Sequence, residues 1–345
     1  MHILIVKTSS LGDIIQTFDV LTYLHDRIPG VKIDWIAAKQ FNPLLEAHPL
    51  VHRAIPFCLK TLRKTKYDVV FDLQGNCKSA FFTLFARAKD KVGRGKKSVR
   101  EWPNLLVTHH HFDPPPHLNI RLQYINLVQQ YFNDPTPPYL RPIRLRLTEP
   151  LPSLPSGPRV MVCLGSRWPN KQLSLSTTLA FLRLLPSYSF LLLWGSEGEK
   201  TDCQFLQSHL PNAVIIPKMS LPTWQNLMYE VDLVLSVDSA ALHLCGTTST
   251  ASYGIFGPTS SKIFAPLNAM TYQGTCPYHQ QFLKQCPYLR VCPTGACMKM
   301  VSAEALISRL ERRAHQQQNE QHVAVSAESP LQLVPTCPEQ HQQLP

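Results

Sequence analysis

The stretch Thr8-Ser9-Ser10-Leu11-Gly12-Asp13 follows the apolar run His2–Val6 and precedes a helical pattern. Three hydroxyls, one glycine and one carboxylate stand where a dinucleotide fold would carry a glycine-rich turn. Two roles are open to Asp13. As a cap it would satisfy the first backbone amides of the helix, a position that Asp, Ser and Thr all favour. Turned into a cleft, it would accept the proton of an attacking hydroxyl, which a general base does from within hydrogen-bond reach.

A second group of polar residues lies beyond residue 160. In "LGSRWPNK", Gly165, Ser166 and Lys171 follow an apolar run, so backbone amides and one cation could meet a phosphate. "LLLWGSEGEK" repeats the pattern, with Glu197 and Glu199 free either to bind a ribose or base or to form an exposed acidic turn. In "LVLSVDSAALHLCGTTSTASYGIFGPTS", Asp238 and Ser239 end an apolar strand, and His243 lies one helical turn later. A lone histidine in an apolar stretch is ordinarily a core residue. Asp238 beside it and the loop of Gly257, Pro258 and Thr259 after it make a binding role the competing reading.

The elements that must position these groups alternate along the chain. "HILIV", a helical pattern over 14–27, "KIDWIA", a helix near "FNPLLEAH" and "YDVVFDLQ" predict βαβ wiring with a parallel sheet. Eight prolines between residues 133 and 159 predict a semi-rigid interdomain linker. Alternation then resumes from "RVMVCLGS" to "TASYGIFG", predicting a second parallel α/β unit. A length of 345 residues also suits two cores. The expected domains are 1–150 and 151–313, both Rossmann-like, followed by a Gln-, Pro- and Ser-rich disordered tail over 314–345. Two such sheets facing across a cleft suit group transfer between a donor and an acceptor. Neither half carries G-x-G-x-x-G after a strand, which excludes a nicotinamide-dependent dehydrogenase.

Charge narrows the partner. The net charge is +11, and residues 51–100 hold thirteen Lys or Arg against three Asp or Glu. This excess implies an anionic partner such as a nucleic acid, a phosphorylated sugar or an acidic membrane surface; its bland counterpart is a solvated basic face. No apolar run approaches the roughly 18–20 residues of a membrane span, and the short apolar start has no basic leader, so a cytoplasmic chain is expected. Its ten cysteines are then expected as reduced thiols. Cys276, Cys286, Cys292 and Cys297 follow C-x9-C, C-x5-C and C-x4-C spacings without the C-x2-C pair of a tight zinc site, and no metal is assigned to them.

Three stretches together resemble glycosyltransferase family 9, in particular its ADP-heptose:lipopolysaccharide heptosyltransferases. They are "ILIVKTSSLGDIIQTF", "YDVVFDLQGNCKSA", and "VDSAALHL" followed by "GIFGPTS"; the likeness runs from Met1 to about Arg313. The resemblance implies a GT-B fold whose first domain binds the acceptor, so that the first loop needs a base more than a nucleotide cradle. Asp13 is then the catalytic base of an inverting transfer from an ADP-sugar to a Kdo hydroxyl of inner-core lipopolysaccharide. The implied donor-side residues are Ser9, Ser10, Gly12, Ser166, Lys171, Glu199, Asp238, Ser239, His243, Gly257 and Thr259. Lys64, Lys78, Arg100 and Arg121 would face the carboxylates and phosphates of a Kdo-lipid A acceptor. Lys171 and loop amides would carry the charge of the leaving diphosphate, so neither metal nor cofactor is expected. A monomer touching the inner face of the cytoplasmic membrane, without nucleic acid, completes the expectation. Ala240 replaces a glycine usual in the family, and Gln172 follows Lys171 where Trp-Pro is common, which leaves the donor sugar open. Two alternatives stand beside this reading: a family member using another nucleotide sugar, and a catalytically retired glycolipid-binding protein of the same fold.

Overall fold

Short runs of aliphatic and β-branched residues bounded by helices make strands buried on both faces, and the chain uses them twice. The computed structural model describes residues 1–312. The tail expected to be disordered, 314–345, lies outside the described residues. The first sheet holds β1 (His2–Val6), β2 (Lys32–Ile36), β3 (Arg53–Ile55), β4 (Lys66–Asp72), β5 (Arg87–Arg94) and β6 (His110–Phe112). Every neighbour is parallel, in the order β3-β2-β1-β4-β5-β6. The second holds β7 (Arg159–Cys163), β8 (Ser189–Leu192), β9 (Ala213–Ile215), β10 (Leu233–Val237), β11 (Ala251–Phe256) and β12 (Met270–Gln273). Its order, β12-β11-β10-β7-β8-β9, is also wholly parallel.

Read from opposite edges, the two orders are the same. Each sheet therefore reverses its winding once, between β1 and β4 and between β7 and β10. In open α/β sheets a ligand crevice forms outside the strand carboxyl ends at such a reversal. The registers bring those ends level, with Val6 beside Asp72 and Cys163 beside Ser236.

The helical stretch expected over 14–27 is two helices, Leu11–Gln16 and Phe18–Arg27. Thr17 divides them, its hydroxyl donating to the Asp13 carbonyl at 2.8 Å, a local bond that competes with the helix ladder. Ile14, Ile15 and Phe18 from this region belong to an apolar cluster that continues into the second unit through Ala241, Leu244 and Cys245. Burying each Ile, Leu or Phe side chain of this cluster contributes about 1.5–3 kcal/mol to the folded state.

The proline-rich connection has no helix or strand from 134 to 158, but it is docked. Ile143 donates its N–H to the Thr247 carbonyl at 2.9 Å, and Leu145 to Gln225 Oε1 at 3.1 Å. Among the described residues no helix is long and apolar enough to cross a membrane.

Candidate active site

The loop after β1 is held from below and from the side. Lys7, buried at the strand end, donates to the Tyr124 hydroxyl at 2.8 Å and to the Leu73 carbonyl at 3.3 Å. The amides of Thr8 and Ser9 both donate to Gln74 Oε1, at 3.1 and 3.2 Å. Gln74 sits on the turn after β4, and that turn is fastened in turn by Asp72. The buried Asp72 carboxylate accepts from the Gln74 and Gly75 amides at 3.0 and 2.9 Å and from Thr83 and Asn104 at 3.0 and 2.6 Å. Gly75 has φ +71°, a left-handed conformation that glycine alone adopts without cost. Nothing in the sequence analysis singled out Gln74 or Asp72. The signal was there in "FDLQGN", which ends the strand neighbouring β1.

Asp13 takes the first of the two roles open to it and leaves one oxygen free for the second. Its Oδ2 accepts from the Ser10 amide at 2.9 Å and the Ser10 hydroxyl at 2.7 Å, so it braces the start of the helix. Its Oδ1 makes no hydrogen bond among the described residues. Burial raises the carboxyl pKa, but the Lys7 ammonium and the two Ser10 hydrogen bonds outweigh it and hold the group below its ordinary value. Asp13 is therefore an anion at neutral pH.

Across the junction stands a cluster built on the β7–β10 reversal. Asp238 Oδ2 accepts from Lys171 Nζ at 2.5 Å and from the Thr259 hydroxyl at 2.6 Å, and Oδ1 lies 3.3 Å from His243 Nε2. Burial opposes ionisation of Asp238, yet His243 and Lys171 draw its pKa far down. His243 moves down too, because burial disfavours the imidazolium more than Asp238 favours it. Gln16 from the first unit reaches this ring, its Nε2 lying 3.1 Å from His243 Nε2 and 3.3 Å from Nδ1. The two reversal points thus meet. A methyl group on Gly12 would lie 3.0 Å from the imidazole of His243, so the close approach that glycine permits here is to that ring.

The remaining donor-side expectations fall into place unevenly. The Ser166 carbonyl accepts from Gln172 Nε2 at 2.7 Å, which shapes the loop carrying Lys171. Ser239 starts the helix Ala240–Cys245, with its hydroxyl 3.2 Å from that of Ser236. Glu199 turns inward and accepts from the Gly195 amide at 2.7 Å, its carboxylate filling the space above Gly165. Glu197 points to solvent near Lys200. Gly257 serves packing: a Cβ there would strike Met298 Cγ at 2.4 Å.

Two acceptor-side expectations require correction. Arg121 is 1% exposed and cannot face an acceptor. Its guanidinium donates to Asp19 Oδ2 at 2.7 Å and to the His243 carbonyl at 2.8 Å, tying the first unit to the second. Lys64 ends the helix that precedes β4, at the amino end of the sheet. Seven residues of strand separate that end from the crevice, about 20 Å at 3.3 Å per residue. Lys78 and Arg100 do reach the carboxyl ends. Lys78 is in the first turn of the helix after β4, exposed, with its ammonium 4.3 Å from the Phe57 ring centre. Arg100 is exposed, and its amide donates to the Gly75 carbonyl at 3.0 Å.

A sequence profile for glycosyltransferase family 9 (heptosyltransferase) matches residues 58–292, two thirds of the chain. The chain belongs to glycosyltransferase family 9. This glycosyltransferase is 28% identical over 285 residues to lipopolysaccharide heptosyltransferase 1 of Pseudomonas aeruginosa, covering 75% of this chain and 79% of that protein. The Escherichia coli K12 protein of the same name is 26% identical, with 75% and 88% covered. Among solved structures, Escherichia coli heptosyltransferase WaaC with ADP superposes with a TM-score of 0.75 at 22% identity, over 90% of this chain and 99% of that one. Escherichia coli ADP-heptose lps heptosyltransferase II superposes with a TM-score of 0.69 at 19% identity, over 92% and 100%. The family-9 enzyme therefore has the GT-B fold, with two parallel sheets whose reversal points face each other.

Proposed function

We propose that this glycosyltransferase moves a heptose from ADP-heptose to a Kdo hydroxyl of inner-core lipopolysaccharide, with inversion at the anomeric carbon and Asp13 as the general base. The observation that carries the reading is the meeting of the two reversal points, an ionised Asp13 on one and the Asp238–Lys171–Thr259–His243 cluster on the other. The names of the similar proteins support the substrate class: lipopolysaccharide heptosyltransferase for the curated relatives, and ADP or ADP-2-deoxy-2-fluoro heptose in the titles of two WaaC structures.

In this reading the first domain binds the acceptor and the second the donor. The acceptor oxygen attacks the anomeric carbon from the face opposite the leaving group. Its proton passes to Asp13 Oδ1, and the bond from carbon to the diphosphate oxygen breaks, so that ADP leaves with the electron pair. A carboxylate of depressed pKa is a weak base toward a free alcohol. Transfer to it becomes favourable only as the new C–O bond forms and the oxygen grows acidic, which places proton transfer late in an oxocarbenium-like transition state. Lys171, released from Asp238 by the incoming donor, neutralises the growing diphosphate charge, so the displacement needs no divalent cation. Lys78 and Arg100 meet the anionic acceptor at the rim, at the cytoplasmic face of a membrane and with the protein acting as a monomer.

Calorimetric titration with ADP, UDP and GDP tests the donor. The expected result is micromolar binding of ADP in preference to the others, lost in Asp238→Ala. Preference for another nucleotide overturns the donor, and no nucleotide binding favours the retired-protein alternative.

A further inference from the structure

Residues 274–300 form a long stretch between β12 and the helix that begins at residue 303, with almost no regular structure. One helical turn, Ala296–Lys299, and one isolated bridge from Thr259 to Gln285 are all it contains. Leu289 and Met298 are buried, but most of its large apolar side chains build no core: Tyr278, Leu283, Tyr288, Val291 and Met300 are each more than half exposed. Loops of this length in a compact domain are uncommon and need some other means of being held. What this one gathers around a shared space is cysteine. Cys276, Cys286, Cys292 and Cys297 line a single small cavity together with Asn170 and Pro258.

We propose that Cys276, Cys286, Cys292 and Cys297 form a four-thiolate structural site for one zinc or ferrous ion, which braces the two donor-side loops of the second sheet. Four sulfur donors without oxygen or nitrogen suit these ions in tetrahedral coordination. All four are free thiols rather than disulfides in the structure. No three of the sulfurs lie within 4.8 Å of one another, wider than the roughly 3.8 Å between thiolates sharing an ion with bonds of about 2.3 Å. A single χ1 rotation between staggered positions carries a sulfur about 3 Å, so the proposed site forms by rotation of the cysteine side chains toward the cavity they already line. One ligand is already arranged for an anion: the Gly295 amide, in a left-handed turn at φ 56°, donates to Cys292 Sγ at 3.4 Å. Amide bonds of this kind stabilise metal-bound thiolates from outside the first shell of ligands.

The site's consequence follows from what the loop touches. Asn170 Nδ2 donates to the carbonyls of Leu289 and Cys292, both at 3.0 Å, and the next residue is Lys171. The Cys286 amide donates to the Pro258 carbonyl at 2.7 Å, and the next residue there is Thr259. Two of the three partners of Asp238, Lys171 and Thr259, thus directly follow residues bonded to the cysteine segment.

The test uses the full chain purified without chelator from cells grown with added zinc or added iron. Elemental analysis should give about one transition-metal ion per chain, and which metal it is separates the zinc from the iron form. The stripped chain refilled with Co2+ should show a thiolate-to-cobalt charge-transfer band in the near ultraviolet and intense visible bands of tetrahedral cobalt. Cys286→Ser with Cys292→Ser should lose both the metal and the bands, whereas Cys58→Ser with Cys77→Ser should keep them. The wild-type cobalt spectrum decides the matter even where the first double variant fails to fold. The proposal is overturned by wild-type protein with less than about a tenth of an ion per chain that also binds Co2+ without thiolate bands. It is equally overturned if denatured protein titrates with fewer free thiols than its ten cysteines, which would mean disulfides in the cluster.

Discussion

Replacing Asp13 by Asn separates the carboxylate's bracing of the helix from its proposed role as base. The amide keeps an oxygen that can accept the Ser10 amide and hydroxyl hydrogen bonds, now at 2.9 and 2.7 Å, but it has no charge and takes no proton. Loss of a negative charge in a first helical turn costs about 0.3–1 kcal/mol of stability. A domain with a margin of about 5–15 kcal/mol stays folded after such a loss. Loss of a general base lowers turnover by about 10² to 10⁴, equivalent to about 3–5 kcal/mol in the barrier. The rate effect thus exceeds anything the stability change can produce. The assay pairs product formation from ADP-heptose and a Kdo-lipid acceptor with calorimetric ADP affinity, which should change by less than about twofold since the proposed proton transfer takes place only in the transition state. The pH dependence has a definite sign. Because the folded pKa is depressed, the stability contributed by Asp13 is fully present above the unfolded value near 4 and is lost as pH falls through the lower folded value. The deficit of the Asn variant should therefore vanish in acid. Turnover within threefold of wild type, or a parallel loss of ADP affinity, would refute the role given to Asp13.

Arg121→Met should destabilise the protein by about 3–5 kcal/mol in urea melts, because it strands the buried Asp19 carboxylate. Adding Asp19→Leu should recover most of that loss; an unchanged melting midpoint in the single variant would show that the pair is not what holds Arg121. Lys78→Ala with Arg100→Ala should raise the acceptor KM and leave ADP affinity unchanged, since both lie on the rim of the first sheet. Lys64→Ala, at the far end of β4, should alter neither, and an acceptor defect there would contradict its placement.

Most of the fold is legible in the residues themselves. "HILIV", "YDVVFDLQ", "RVMVC" and "VDLVLSV" are each too apolar for a strand with one wet face, and each is followed by a helical pattern, which together demand parallel sheets covered on both sides. The loops with Asp13, Lys171 and Asp238 were also legible, because polar groups that directly follow such strands must lie at the carboxyl end. Thr17 was not, since the patterns on its two sides have the same period and only its own hydroxyl bond marks the break.

The charged residues failed in a consistent way. Lys64 and Arg121 look like Lys78 and Arg100 in composition, and the basic window contains no sign of which end of β4 a side chain reaches or whether it is buried. Helix direction decided Lys64, and the packing of two helices and a second domain decided Arg121. The same holds for Gln74: it braces the Asp13 loop because β4 neighbours β1, a pairing between residues 66 apart that no local pattern encodes. The four cysteines also become neighbours only through folding, their spacings of four to nine residues lacking a paired signature. Hydrophobic period and turn chemistry act over a few residues, so the sequence alone determines the elements, their parallel sense and which loops are polar. Strand order and the meeting of the two sheets are set by long-range packing, and these decide which of the polar groups share a site.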